Sequence, residues 1–317
     1  MKIVVLDGYT LNPGDLDWQP LTALGEFHCF DRTAPAELID RAQGAQVLLT
    51  NKTVLDGESL KALSGLEYVG VLATGTNVVD LKAASELGIK VTNVPGYGPD
   101  AVAQMVFAHI LHHTQRLSDH HNAVVAGAWS QAPDFCFTLA PLQSLKGKTL
   151  GLVGFGDIGR QVAAIAKAFQ MRVLVNTPSV KRDLPEGVSW CEREVLFAAA
   201  DIISLHCPLT PDTQQLINSE RLRAMKSNAI LINTARGGLV DELAMADALS
   251  RGEIAAAGVD VLSSEPPEAD NPLLSAANIS ISPHNAWATR EARQNLLTIA
   301  VDNLRGYLAG QPINQVN

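Results

Sequence analysis

The chain has 317 residues, 47% of them hydrophobic, with a mean hydropathy of +0.10 and a formal net charge of −9. That length exceeds what one hydrophobic core usually serves, so two domains are expected. The acidic balance argues against a nucleic-acid surface, which needs clustered Lys and Arg, and no apolar run reaches the roughly 18 residues of a membrane-spanning helix.

Residues 1–98 read as strand–helix units. Apolar runs at 2–6, 47–50, 68–72 and 89–92 alternate with helical stretches near 35–42, 57–63 and 80–87. Such alternation predicts a mainly parallel sheet covered on both faces. The opening Met1–Asp7 reads as a strand entering a turn, not as a signal peptide. Two turns stand at carboxyl strand ends, where open α/β sheets bind ligands: Ala73-Thr74-Gly75-Thr76-Asn77 and Asn93-Val94-Pro95-Gly96-Tyr97-Gly98. Gly and Pro also suit ordinary tight turns, so the pattern alone leaves both readings open. No glycine-rich phosphate turn occurs in this stretch, which makes it the expected substrate-side lobe.

From Pro99 a helical pattern runs to about Val125, with Ala101, Met105, Ala108, Leu111 and Leu117 among its apolar positions. It is expected to link the lobes as one helix. His109, His112, His113, His120 and His121 cluster on it, but no Asp, Glu or Cys joins them at helical spacing before Asp119. A partly exposed helix face is therefore expected rather than a metal site, and no metal is assigned. Residues 127–147 read as an irregular arm suited to packing on a partner subunit.

A second set of strands is expected at 149–153, 172–176, 188–190, 201–205, 229–233, 256–260 and 278–282, with helices between most of them. The first ends in Gly154-Phe155-Gly156-Asp157-Ile158-Gly159-Arg160, and helical spacing continues from Gln161 to Phe169. In this G-x-G-x-x-G turn Gly154 permits the sharp bend, Gly156 admits a pyrophosphate to the backbone, and Gly159 allows close helix–strand packing. The helix N-terminus attracts the phosphates without a basic side chain. A dinucleotide cofactor is thus expected. A final amphipathic helix, 288–309, has no strand after it and is expected to fold back onto the first lobe. The boundaries are accordingly discontinuous: 1–98 with 288–317 as the substrate domain, and 99–287 as the dinucleotide-binding domain.

Three polar residues follow later strands: Arg236 after 229–233, Glu265 after 256–260, and His284 after 278–282. Singly, each has a dull explanation as a surface charge, a loop acid or a capped turn residue. Together, at carboxyl strand ends beside the cofactor turn, they read as catalytic machinery. About 20 residues past Gly156, where NAD-binding folds usually place Asp or Glu on the adenosine ribose, this chain has Asn176. Asn176 can bond a hydroxyl without repelling a 2′-phosphate, and Ser179, Lys181 and Arg182 nearby suit that phosphate, unless they are solvated loop charges. NAD is the preferred cofactor and NADP the alternative. The four cysteines (Cys29, Cys136, Cys191, Cys207) form no C-x-x-C pair and fit reduced thiols in a cytoplasmic protein.

At this point the chain resembles the D-isomer-specific 2-hydroxyacid dehydrogenases. The GFGDIGR turn, His206-Cys207-Pro208-Leu209-Thr210, Asn233-Thr234-Ala235-Arg236-Gly237, Asp260-Val261, Glu265-Pro266 and Ser282-Pro283-His284-Asn285-Ala286-Trp287 carry the resemblance over nearly the whole length. Val5-Leu6-Asp7-Gly8-Tyr9 and Asn93–Gly98 look like its glycerate dehydrogenase (hydroxypyruvate reductase) branch. The resemblance implies an α/β fold of two doubly wound parallel-sheet domains, a Rossmann cofactor domain inserted into a flavodoxin-like substrate domain. It implies hydride transfer between NAD(P)H and C2 of a small 2-oxoacid, hydroxypyruvate or glyoxylate, in a cleft that closes between the lobes, and a homodimer.

Carried over, Arg236 would hold the substrate carboxylate and 2-oxo group, His284 would protonate the carbonyl oxygen, and Glu265 would hydrogen-bond His284 and favour its charged form. Thr74, Gly75 and Thr76 would cradle the carboxylate. Gly154, Gly156, Asp157, Ile158, Gly159, Asn176, His206, Cys207, Pro208, Thr213, Thr234, Ala235 and Asp260 fall where the family contacts its cofactor. Phosphoglycerate and formate dehydrogenases share much of the pattern, although the latter place Gln where Glu265 stands. Dehydrogenase-like co-repressors that sense NAD without turnover form the alternative from another class.

Overall fold

The computed structural model describes residues 1–181 and 183–317. Lys181 is exposed, whereas Arg182, its companion as a candidate phosphate ligand, lies outside the described residues. The chain forms two compact units.

The first unit takes Met1–Gly98 and Trp287–Asn317. Strands β1 (Lys2–Val5), β2 (Glu26–Cys29), β3 (Val47–Thr50), β4 (Tyr68–Val71) and β5 (Lys90–Thr92) form a five-stranded parallel sheet in the order β2-β1-β3-β4-β5. β3 and β4 are buried at every residue, so they read as continuous apolar runs rather than alternating ones. β2 is a strand that the sequence reading lacks. Its Glu-Phe-His-Cys side chains are mostly exposed on the sheet edge, so no apolar run marks it; pairing with β1 makes it a strand. Helices α1 (Gln19–Thr22), α2 (Leu38–Ala42), α3 (Gly57–Ala62) and α4 (Leu81–Glu86) are short. Asp56 and Asp80 cap α3 and α4 by accepting backbone N–H bonds from Ser59 and Ala83.

The second unit, Pro99–Ala286, opens with α5 (Pro99–Gln115) and α6 (Leu117–Val125). The single helix expected here is broken at Arg116, whose φ of 51° is left-handed. An apolar periodicity that continues across the break hides it. Then follow β6 (Thr149–Val153), α7 (Asp157–Ala168), β7 (Arg172–Asn176), β8 (Val188–Trp190), α8 (Arg193–Ala199), β9 (Ile202–Leu205) and α9 (Ser219–Ala224). β10 (Ile230–Asn233), α10 (Glu242–Arg251), β11 (Ala256–Val259) and β12 (Ile279–Ile281) complete the unit. The seven strands are parallel in the order β12-β11-β10-β9-β6-β7-β8. Strand order reverses at β6, which pairs with both β7 and β9. That switch point opens a crevice at the carboxyl ends of the strands.

The chain then returns to the first unit through α11 (Arg290–Leu308), which packs Leu296, Leu297, Ala300, Val301 and Leu304 with Ile3, Val5, Leu49 and Tyr68. Arg293 forks onto Asp15 at 2.7 and 2.6 Å, and this pairing holds the Asp15 carboxyl below its usual range. No helix among the described residues is long and apolar enough to cross a membrane.

Candidate active site

The phosphate turn is built by backbone constraint. Gly154 has a φ of 101°, and a Cβ there would lie 2.4 Å from the His206 carbonyl oxygen. β6 and β9 can therefore approach at their carboxyl ends only with glycine at this position. A Cβ on Gly159 would lie 2.8 Å from the Gly154 carbonyl oxygen, so the first turn of α7 sits directly on the loop. A Cβ on Gly156, in contrast, meets nothing within 4 Å. Gly156 caps α7 without a side-chain hydrogen bond, leaving the first N–H groups of the helix available to an anion.

The surrounding positions agree with a dinucleotide. Thr234, at the end of β10, is buried, and its hydroxyl finds no hydrogen-bond partner among the described residues. An orphaned buried hydroxyl is costly unless a ligand supplies its partner. Thr213 braces the loop after β9: its hydroxyl donates to the Pro208 carbonyl at 2.7 Å and accepts from the Thr210 N–H at 2.7 Å. Cys207 and Ala235 are half-buried beside these loops, and Asp157 and Ile158 lie in the first turn of α7. His206 faces inward, its Nε2 2.9 Å from the Ser204 hydroxyl, and burial pushes its pKa down to about 4. The structure thus brings the backbone of His206, not its imidazole, against the phosphate turn. Asn176 is buried and already engaged, its amide nitrogen donating to the Cys191 carbonyl at 3.0 Å. These residues fit a nicotinamide dinucleotide.

Arg236, Glu265 and His284 follow β10, β11 and β12, three neighbouring strands. Asn233 shapes the first loop by donating to the Arg236 carbonyl at 2.9 Å and accepting from the Ala235 N–H at 3.1 Å. The Arg236 side chain is exposed. A Cβ on Gly237 would lie 2.0 Å from the Leu262 carbonyl carbon, so the loops after β10 and β11 touch through bare backbone. The Leu262 N–H donates to Glu265 Oε1 at 2.9 Å, and Glu265 Oε2 lies 2.5 Å from His284 Nδ1. This arrangement puts the Nδ1 proton on the glutamate side. His284 has a φ of 50°, uncommon for a residue with a Cβ.

Asp260 holds that turn in place. Its carboxylate accepts from the Asn285 N–H at 3.0 Å, the Ala286 N–H at 3.0 Å and the Ser282 hydroxyl at 2.5 Å. Burial pushes the Asp260 carboxyl up, and these bonds oppose the shift.

Ser282 in turn meets a histidine that sequence reasoning put on an exposed face. His109 is only 5% exposed, with Nε2 3.1 Å from the Ser282 hydroxyl and Nδ1 2.7 Å from the Ser280 hydroxyl. His113 Nε2 lies 2.8 Å from the Ala257 carbonyl and 3.0 Å from Ser280. Burial pushes both imidazoles down to about 4, helped by the charge of His112. Neutral rings then allow one consistent direction. His113 donates to the Ala257 carbonyl and shares that proton with Ser280, Ser280 donates to His109, His109 to Ser282, and Ser282 to Asp260. Gly258 makes room for this chain, since a Cβ there would come within 2.7 Å of His109 Cβ. The i, i+4 spacing of His109 and His113 with the Ser-x-Ser of β12 was the available signal. Among the described residues, no group of three or more His, Cys, Asp or Glu is placed to hold a metal.

In the first unit, Thr74, Gly75 and Thr76 follow β4. The Thr74 hydroxyl donates to the Val94 carbonyl at 2.9 Å, and Asn93 donates to the Thr74 carbonyl at 2.8 Å, which ties together the loops after β4 and β5.

Comparison with known proteins agrees with this geometry. Residues 107–286 match the model of the D-isomer specific 2-hydroxyacid dehydrogenase NAD binding domain. The hydroxypyruvate reductase of Blautia hydrogenotrophica is 44% identical, with 100% of both chains covered. The glycerate dehydrogenase of Methylorubrum extorquens is 38% identical over 99% of this chain and 98% of that one. A solved D-lactate dehydrogenase with NAD+ from Lactobacillus jensenii shares 28% identity at a TM-score of 0.84, over 100% of this chain and 99% of that one. The chain belongs to the D-isomer-specific 2-hydroxyacid dehydrogenases, a family of NAD-dependent enzymes.

Proposed function

We propose that the protein reduces hydroxypyruvate or glyoxylate at C2, with His284 as the proton donor, to give D-glycerate or glycolate. The observation that carries this reading is the 2.5 Å pairing of Glu265 with His284 Nδ1, which ties one ring nitrogen to a carboxylate after the neighbouring strand. The names of the Blautia and Methylorubrum relatives support the substrate class. A bound nicotinamide supplies the hydride. Arg236 grips the carboxylate and 2-oxo group through its planar fork, which suits a small anionic substrate in an acidic protein. In the first unit, the N–H groups of Gly75 and Thr76 are the donors read for a substrate carboxylate. Glu265 balances the imidazolium from which the proton leaves, and is itself oriented by Leu262.

The protein acts in this reading as a cytoplasmic homodimer. Exposed Leu117, Val125, Trp129, Phe135 and Leu139, on and after α6, support the dimer, and four free thiols support a reducing compartment. The test is a steady-state panel of 2-oxoacids, including hydroxypyruvate, glyoxylate and 3-phosphohydroxypyruvate, against NADH and NADPH. Fastest turnover with hydroxypyruvate or glyoxylate is expected. Cofactor binding without consumption would instead identify a sensor, and a preference for the phosphorylated oxoacid would move the substrate class.

A further inference from the structure

Arg193, the first residue of α8, reaches the end of β7, and neither motif nor spacing marks it. Its Nε lies 3.5 Å from Asn176 Oδ1. The turn that carries it is tied to the same side chain, because Asn176 Nδ2 donates to the Cys191 carbonyl. Its charge also reaches Cys207 beyond β9: burial raises that thiol and Arg193 partly opposes the rise. The guanidinium therefore lies at the carboxyl end of β7, against the Asn176 side chain. Arg193 is half-buried, yet none of the ion pairs among the described residues includes it.

We propose that Arg193 reads the adenosine ribose and binds a 2′-phosphate there, so that the protein binds NADPH more tightly than NADH. The inference rests on the reading that a dinucleotide occupies the Gly154–Gly159 turn. A half-buried cation without a counter-charge is costly, and an anionic ligand is what relieves the cost. The 2′-position of a ribose is reached at the end of this strand, where NAD-selective folds place a carboxylate that accepts the hydroxyl and repels a phosphate. Here the carboxylate is replaced by a neutral amide that helps to steer an arginine fork. Lys181, on an exposed loop, is the competing cation.

Binding measurements on the full chain separate the cases. Kd values for NADH and NADPH come from quenching of protein fluorescence, and those for 5′-AMP and 2′,5′-ADP from calorimetry. Tighter binding of NADPH and 2′,5′-ADP is expected. Arg193→Ala should reduce that preference by about tenfold or more while leaving NADH affinity nearly unchanged. Arg193→Gln, which keeps a donor toward Asn176 without the charge, gives the same readout should the alanine variant fail to fold. Lys181→Ala should change nothing. Tighter NADH binding by the unaltered protein, equal weakening of both dinucleotides by either Arg193 variant, or loss of the preference in Lys181→Ala would each overturn the proposal. If the unaltered protein binds neither dinucleotide, the enzymatic reading itself fails.

Discussion

His284, the proposed proton donor, has an unusual backbone conformation, with a φ of 50°. Left-handed φ at a residue with a side chain persists only where its surroundings over-determine it, and here they do. The His284 N–H bonds the Asp260 carbonyl at 2.8 Å, and the next two N–H groups bond the Asp260 carboxylate. Replacing His284 by Gln keeps a polar side chain but removes the transferable proton. The variant should lose about two to four orders of magnitude in the rate of oxoacid reduction, with cofactor affinity nearly unchanged in equilibrium titration. Near-normal reduction by His284→Gln would remove His284 from the role.

Between elements, the decisive contacts are those that let loops meet. At Gly237 the loop after β10 touches the loop after β11, and the joined pair carries Arg236 and Glu265. Gly237→Ala must push Leu262 away, which should lower stability on the order of 1–3 kcal/mol in urea unfolding and raise the KM for the oxoacid more than that for the cofactor. α5 reaches the same region through His109 and Ser282. Ser282→Ala removes the 2.5 Å donor to Asp260, a carboxyl that burial already pushes up. Its pKa should climb further, so the acid limb of the kcat/KM profile should move to higher pH. An unchanged acid limb, together with a normal fold, would mean that Asp260 does not depend on this chain.

For the protein as a whole, the buried histidines set a limit on acid stability. His109 and His113 are neutral in the folded state with pKa values pushed down to about 4, from an ordinary value of 6.5. Below 6.5 the unfolded chain binds protons that the folded chain refuses. Their contribution is thus fully present above about 6.5 and is lost as pH falls from there toward 4. The loss at His109 is on the order of 3 kcal/mol. Thermal melts should show Tm falling steeply across this window. His109→Leu, although it costs stability at neutral pH by removing one hydrogen-bond partner from each of Ser280 and Ser282, should flatten the slope. An equally steep fall in that variant would assign the acid sensitivity elsewhere.

Much of this was legible in the residues alone, because the relevant information is local. The phosphate turn is specified by three glycines between a strand and a helix, and buried parallel strands announce themselves as short apolar runs. The placement of Arg236, Glu265 and His284 was readable for the same reason: each stands in the loop after such a run, and parallel strands bring their carboxyl ends to one edge. Other features depended on partners distant in sequence. β2 has no apolar pattern and exists by pairing with β1, and the break at Arg116 lies inside an unbroken periodicity. His109 looked solvent-facing until β11 and β12, more than 140 residues later, covered it and supplied two serines. Arg193 carries no local signal, since its significance lies in Asn176 and Cys207 from strands on either side. Local sequence determined which elements form and which residues stand at their ends; tertiary packing decided which charges are buried, which are paired and which remain to meet a ligand. Burial and pairing are properties of neighbours in space, and those only the folded chain brings together.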